Sequence, residues 1–374
     1  MTILHIVAVV VGISLSMAVL LSALQTVVLP RGGLTAITRF VFASVDRVFV
    51  RRHGLAARFG WEGFYAPVSL VALPLAWASV VTFGFALIFW GLDVGSLGDA
   101  MAVSGSSLFT LGFARPGPSG LVLLTFLEAL IGLGLVALLI SFLPTLYSAF
   151  SEREKGVALL RPLLGTPPSA VELTRRMHGG GALGMPAIWS SASAWFASLE
   201  QSHAAFPSLC SFPPQDGAGS WVVTAGTLLD TASLLRSALA EDDPERSPEF
   251  TLVLAHGIPA ITLVATAAGL PISEPRPLVE VMADTGPVPS VTISRGEFDG
   301  ALGELAALGL QMRPDADEAW RQFALLRRSY EDAVLGLAGL THAPPAPWTS
   351  DRAHSVGRPH FFGSRSLRVV QPGS

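Results

Sequence analysis

The residues of this chain best suited to chemistry are Thr110-Leu111-Gly112-Phe113-Ala114. What they offer is cation coordination by main-chain carbonyls and a hydroxyl. They sit in Asp93–Ser119, a stretch too polar and Gly-rich to cross a bilayer alone, between two long apolar runs. Non-helical backbone at membrane depth is tolerated only where protein buries it or where it lines a water-filled cavity. A ring of such carbonyls replaces an ion's hydration shell, with four loops contributing to one pore. Gly112 fits because turning successive carbonyls inward calls for left-handed backbone. Leu92-Asp93-Val94-Gly95-Ser96 reads as a turn and helix cap, and 97–109 as a short helix. The C-terminal, negative dipole end of that helix would face the same place and favour a cation.

Glu128 is the other residue that stands out, an acid inside an otherwise apolar run. At 1.5 Å per residue it lies about 12 Å below Gly120, near mid-membrane. An intramembrane carboxyl is costly and faces the bundle interior or water. Two readings stand. It could line the pore and attract cations, or it could bond to Ser104, Ser106 or Ser107 on the short helix, holding 110–114 from behind. The second is preferred.

Long apolar segments must position these groups. The chain has 374 residues, 51% hydrophobic and only 14% charged, against about 25% charged in a soluble domain. The deficit is confined to 1–30 and 64–149, so a membrane part precedes a soluble part. A crossing helix needs about 20 apolar residues, and Ile3–Pro30, Phe64–Leu92 and Gly120–Tyr147 each supply them. Ile3–Pro30 is read as a retained span. It has no basic n-region, is long for a signal peptide and lacks a clean cleavage site. Arg31, Arg39, Arg47, Arg51, Arg52 and Arg58 follow the first span, and Arg153, Lys155 and Arg161 follow the third. Between the second and third only Arg115 occurs. The positive-inside rule then places the first loop and the C-terminal part in the cytoplasm, and the N-terminus outside. Arg39–Arg58 reads either as a helix on the inner leaflet or as a solvated connector.

Residues 64–149 resemble the two-span pore module of the potassium channel superfamily. Thr110-Leu111-Gly112-Phe113 is similar to its Thr-Val-Gly-Tyr/Phe filter. Ile131-Gly132-Leu133-Gly134-Leu135 resembles its inner-helix glycine hinge, and Pro144 sits where some members bend that helix again. The resemblance implies a homotetramer that conducts a monovalent cation, potassium first, with no bound cofactor. The family continues with Gly and then Asp, whereas this chain has Ala114 and Arg115. Ala114 in a left-handed position would cost about 1–2 kcal/mol, and Arg115 would ring the outer mouth with positive charge. Gly132 and Gly134 also have a plainer role, since small residues let helices pack closely.

Beyond Ser151 the sequence has soluble character. Periodicity predicts helices near 151–163, 169–177, 187–205, 220–241, 249–269, 295–310 and 315–340, with proline pairs between them. Phe250–Ile272 is apolar enough for a fourth span, but His256, Gly257 and Pro259 interrupt it, so a core helix is preferred. Trp189, Trp195, Phe196 and Phe206 are expected as core anchors. Glu200, His203 and Asp230 could form a polar cluster. His178-Gly179-Gly180-Gly181 is similar to an esterase oxyanion loop, yet no Gly-x-Ser-x-Gly elbow accompanies it. Cys210 is the only cysteine, which excludes an intrachain disulfide, and no metal-ligand spacing occurs. The net charge of −4 leaves no nucleic-acid footprint.

The expectation is an all-α membrane protein of the plasma membrane, embedded in lipid. Its parts are an N-terminal span (1–30), an Arg-rich connector (31–63), a pore module (64–149), a cytoplasmic helical domain with an unknown ligand or partner (150–341) and a flexible tail (342–374). Passive ion conduction is the first functional reading. A non-conducting membrane scaffold or sensor is the alternative, and an enzyme is not expected.

Overall fold

The computed structural model describes residues 2–27, 40, 44, 65–117, 119–181, 183, 186–212 and 219–353. Most of the connector 31–63 and the tail beyond Ala353 lie outside the described residues. The described chain is all-helical, with two isolated β-bridges and no strand. It divides into two units, one spanning Met1–Ser148 and the other beginning at Ala149.

In the first unit, α1 (Ile3–Val27) contains no charged residue and α2 (Tyr65–Gly91) none either. Their 25 and 27 residues correspond to about 37 and 40 Å, enough for a hydrocarbon core of about 30 Å. The two pack closely because small residues meet. A β-carbon on Gly12 would lie 2.3 Å from the Gly84 carbonyl oxygen, and one on Gly91 would lie 2.6 Å from that of His5. Trp77 Nε1 donates to Ser22 Oγ at 3.2 Å. Apolar side chains on the other face of α1, among them Ile6, Val10, Ile13 and Met17, are exposed, as a lipid-facing surface requires.

The helix α3 (Leu97–Leu108) is started by a capping box, Ser96 with Asp99. With 12 residues it reaches about 18 Å, too short to cross a bilayer. After a 3-10 turn at Ser119–Leu121 comes α4 (Val122–Leu164), 43 residues without interruption. Its length of about 65 Å is twice the hydrocarbon thickness. The sequence reading ended this helix at Tyr147 and began another at Ser151. The backbone joins them, because no Gly or Pro lies between Pro144 and Arg161 except Gly156.

The second unit contains the end of α4 and then α5 (Ala170–Gly179), α6 (Pro186–Ala205), α7 (Trp221–Ala238), α8 (Glu249–Ala267), α9 (Leu278–Ala283), α10 (Arg295–Ala307), α11 (Ala316–Arg328) and α12 (Glu331–Leu340). α7 is central, and every residue but Arg236 is buried. Four helices in the described chain are long and apolar enough to cross a membrane, and α8 is the fourth. More than half of its apolar window is buried within its own unit. Gly257 admits Leu229 and the Phe196 ring, and Phe250 stacks edge-on to Trp189 at 4.8 Å.

The segment assigned to a flexible tail begins differently. Residues 342–353 pack onto the helical unit. Arg327 Nη2 donates to the Trp348 carbonyl at 2.6 Å, the Trp348 and Phe323 rings lie 5.7 Å apart, and Arg352 pairs with Glu297. Composition rich in Pro and Ser hid the one aromatic anchor, Trp348.

Candidate functional site

The segment between α2 and α4 is positioned from its N-terminal side. Asp93 (φ 70) and Gly95 (φ 59) turn the chain out of α2. Ser96 then caps α3, accepting from the Asp99 N–H at 3.2 Å while Asp99 takes the Ser96 N–H at 2.9 Å. α3 leans on α2 through Ser104 Oγ, which lies 2.8 Å from the Thr82 carbonyl.

Past Leu108 the backbone reverses. The N–H groups of Phe109 and Thr110 donate to the carbonyls of Gly105 (3.2 Å) and Ser107 (3.0 Å). Those of Leu111 and Gly112 both donate to the Ser106 carbonyl, at 2.8 and 3.3 Å. The Ala114 N–H donates to Ser106 Oγ at 3.0 Å. Ser106 therefore takes three N–H groups of this segment. Among the described residues, the carbonyls of Phe109 through Ala114 accept no hydrogen bond. Five of the six N–H groups are thus spent on the C-terminal turn of α3 while the acceptors stay open, a polarity suited to a cation and not to an anion.

The left-handed positions differ in part from expectation. Gly112 takes one at φ 73, but the other belongs to Thr110, at φ 55, and Ala114 has none. The cost assigned to Ala114 therefore falls on a β-branched residue, where positive φ is rare. Ala114 is half-buried, whereas Leu111, Phe113 and Arg115 are exposed.

Glu128 is buried, and one of its carboxyl oxygens meets Ser104 Oγ. Ser107 instead returns its hydroxyl to the Val103 carbonyl at 2.9 Å. Gly132 packs against the last turn of α3. Gly134 has open space around it, Pro144 is exposed, and α4 runs helically through all three.

Elsewhere, Glu200, His203 and Asp230 do not come together. Asp230 pairs with Arg327 and accepts from Tyr330 Oη at 2.8 Å, a buried network on α7, α11 and α12. Burial works against the Arg327 charge, but Asp230, Tyr330 and Glu331 hold the guanidinium above its ordinary range. His203 Nδ1 lies 3.0 Å from the Leu199 carbonyl, and its ring stacks near Trp221. His178 closes α5, 3.6 Å from Glu245. Arg153, counted in sequence as a topogenic charge, is buried. It donates to the Leu209 and Phe212 carbonyls at 2.8 and 3.0 Å and lies over the Phe150 and Trp221 rings. Only its proximity to a run of aromatics in sequence could have hinted at this. Among the described residues no group of three or more His, Cys, Asp or Glu is placed to hold a metal ion.

Comparison with family models, with curated proteins and with solved structures gave no match.

Proposed function

We propose that residues 64–149 form one subunit of a homotetrameric cation pore, with potassium the first candidate ion and Thr110, Leu111, Gly112, Phe113 and Ala114 supplying its oxygen ligands. The observation that carries this reading is the polarity of the segment: five of its six N–H groups are bonded to α3, while none of its carbonyls accepts a hydrogen bond among the described residues. A row of unsatisfied carbonyls at membrane depth is tolerable only against water or an ion. Four copies around an axis provide that environment. The C-terminal end of α3 adds its dipole at the same place. Gly132, Gly134 and Pro144 are the positions at which α4 would bend to open the pore, and Arg115 stands at its mouth. Arginine placement supports an external N-terminus and a cytoplasmic second unit.

The test is cation flux into liposomes containing the purified protein, with potassium, sodium and caesium compared. Gly112 sits at φ 73, which a side chain opposes. Gly112→Ala should therefore abolish flux while the protein remains a tetramer in detergent. A monomeric protein, or wild-type flux no greater than that of empty liposomes at every voltage and pH, would leave a non-conducting scaffold or sensor as the better reading.

A further inference from the structure

Ser104 has two oxygen neighbours and one proton to give. Its Oγ lies 2.8 Å from the Thr82 carbonyl and also contacts Glu128 Oε1. The carbonyl can only accept, and a serine hydroxyl carries a single donor hydrogen. If Glu128 were ionised, one proton would have to serve both acceptors, and one oxygen pair would meet without a hydrogen between them. The other carboxyl oxygen, Oε2, is buried with no partner among the described residues, a place where a charged oxygen is least tolerable. A neutral acid resolves the count. Glu128 donates to Ser104, Ser104 donates to the Thr82 carbonyl, and Oε2 is left as an uncharged acceptor.

From this geometry we infer that Glu128 is a proton-bearing positioning residue, whose carboxylic acid ties α4 to α3 by donating to Ser104, leaves the Ser104 proton for the Thr82 carbonyl of α2, and makes the seating of the 109–114 segment depend on pH. The position of Ser104 gives the link its leverage. It lies two residues before Ser106, which takes three N–H groups of that segment, and one turn before Leu108, which packs on Gly132. A second set of contacts therefore rests on the helix that the relay holds.

Among the described residues of α2, α3 and the first-unit part of α4, no other charge meets this link. The described part of α2 has no ionisable side chain except Tyr65, more than four turns before Thr82. α3 has only Asp99, which is closed on the Ser96 cap. On the first-unit part of α4 the other ionisable group is Tyr147, about 28 Å further along the helix. Asp93 and Arg115 lie in the connections, and neither bonds to Glu128.

The experiment has two arms, because the pH dependence of flux rests on the pore reading and the proton count does not. Infrared spectra of the whole protein in lipid read the proton directly. The carbonyl stretch of an unionised carboxylic acid should be present at neutral pH, absent in Glu128→Gln and shifted in Ser104→Ala, which removes its acceptor. A wild-type spectrum at neutral pH that matches Glu128→Gln in this region overturns the inference, whatever the protein conducts. In the flux arm, Gln can still donate to Ser104 through its amide. Glu128→Gln should thus keep neutral-pH flux and lose the alkaline decline of the wild type. An identical decline in both proteins would show that Glu128 does not set the pH dependence, and overturns the positioning role. Absence of flux in both, with the infrared band present, would count against the pore and not against the proton.

Discussion

The carbonyl of Leu108, the last residue of α3, faces Gly132 about three turns into α4 so closely that a β-carbon on Gly132 would stand 2.0 Å from its oxygen. Both partners are backbone, so neither can swing aside. Gly134, two residues on, has nothing within 4 Å of such a carbon. Gly132→Ala should therefore push α3 off α4, at a cost of about 1–3 kcal/mol typical of overpacking. Gly134→Ala should be nearly silent in stability. The thermal midpoints of the two purified variants decide the point. A lower midpoint for Gly134→Ala than for Gly132→Ala would mean that the glycines serve α4 itself and not its contact with α3.

Much of this arrangement was legible because membrane helices declare themselves by length and composition. The long apolar helices expected near 3–30, 64–92 and 120–147, the turn and cap at 92–96 and the short helix near 97–109 follow from apolar runs and the polar, Gly-containing break between them. The partner of Glu128 was legible only as a choice among three serines, since which serine faces α4 depends on the tilt of α3. The left-handed Thr110 was not legible at all, because Thr carries no signal for positive φ and tertiary contacts impose it. In the second unit, 315–340 divides into α11 and α12 at Ser329-Tyr330. Tyr330 there turns its hydroxyl to Asp230 and Ser233, a long-range bond that periodicity does not record.

Trp348 is expected to matter to the helical unit despite its setting among prolines. Its ring packs at a tilt against Phe323, and its carbonyl accepts from Arg327, whose guanidinium also pairs with Asp230. Trp348→Ala should lower the stability of this unit by about 3 kcal/mol, in the range for losing a large buried aromatic. Asp230→Ala should cost at least as much, because it leaves Arg327 buried without its closest counter-charge. Denaturant midpoints followed by tryptophan fluorescence would show this, and a Trp348→Ala midpoint equal to wild type would return 342–353 to the role of a loose tail.

His203 gives the second unit an acid sensitivity whose sign can be worked out. Burial first, and then the nearby Arg153 charge, push its imidazole down to about 3 in the folded chain, against about 6.5 when unfolded. Below pH 6.5 the unfolded chain takes up a proton that the folded chain refuses. The stabilisation is thus complete above pH 6.5 and is lost as pH falls toward 3, by about 1.4 kcal/mol per pH unit. His203→Gln should flatten that part of the profile. Denaturation midpoints between pH 4 and pH 7 that fall equally in both proteins would assign the acid sensitivity to other groups.

Arg115 offers the most direct test of where ions would enter. Its side chain is exposed, just beyond the 109–114 segment, and in the proposed tetramer it repeats four times around the mouth. Four guanidinium groups repel an approaching cation, so Arg115→Asp should raise cation entry and Arg115→Gln should raise it less. The effect acts through solvent and must weaken with salt, because the screening length falls from about 30 Å at 0.01 M to about 8 Å at 0.15 M. Flux measured across that range should therefore show a large gain for Arg115→Asp at low salt and a small one at high salt. A gain independent of salt would point to a rearranged segment instead of a reversed charge. No change at any ionic strength, in a protein that otherwise conducts, would place Arg115 away from the ion's path.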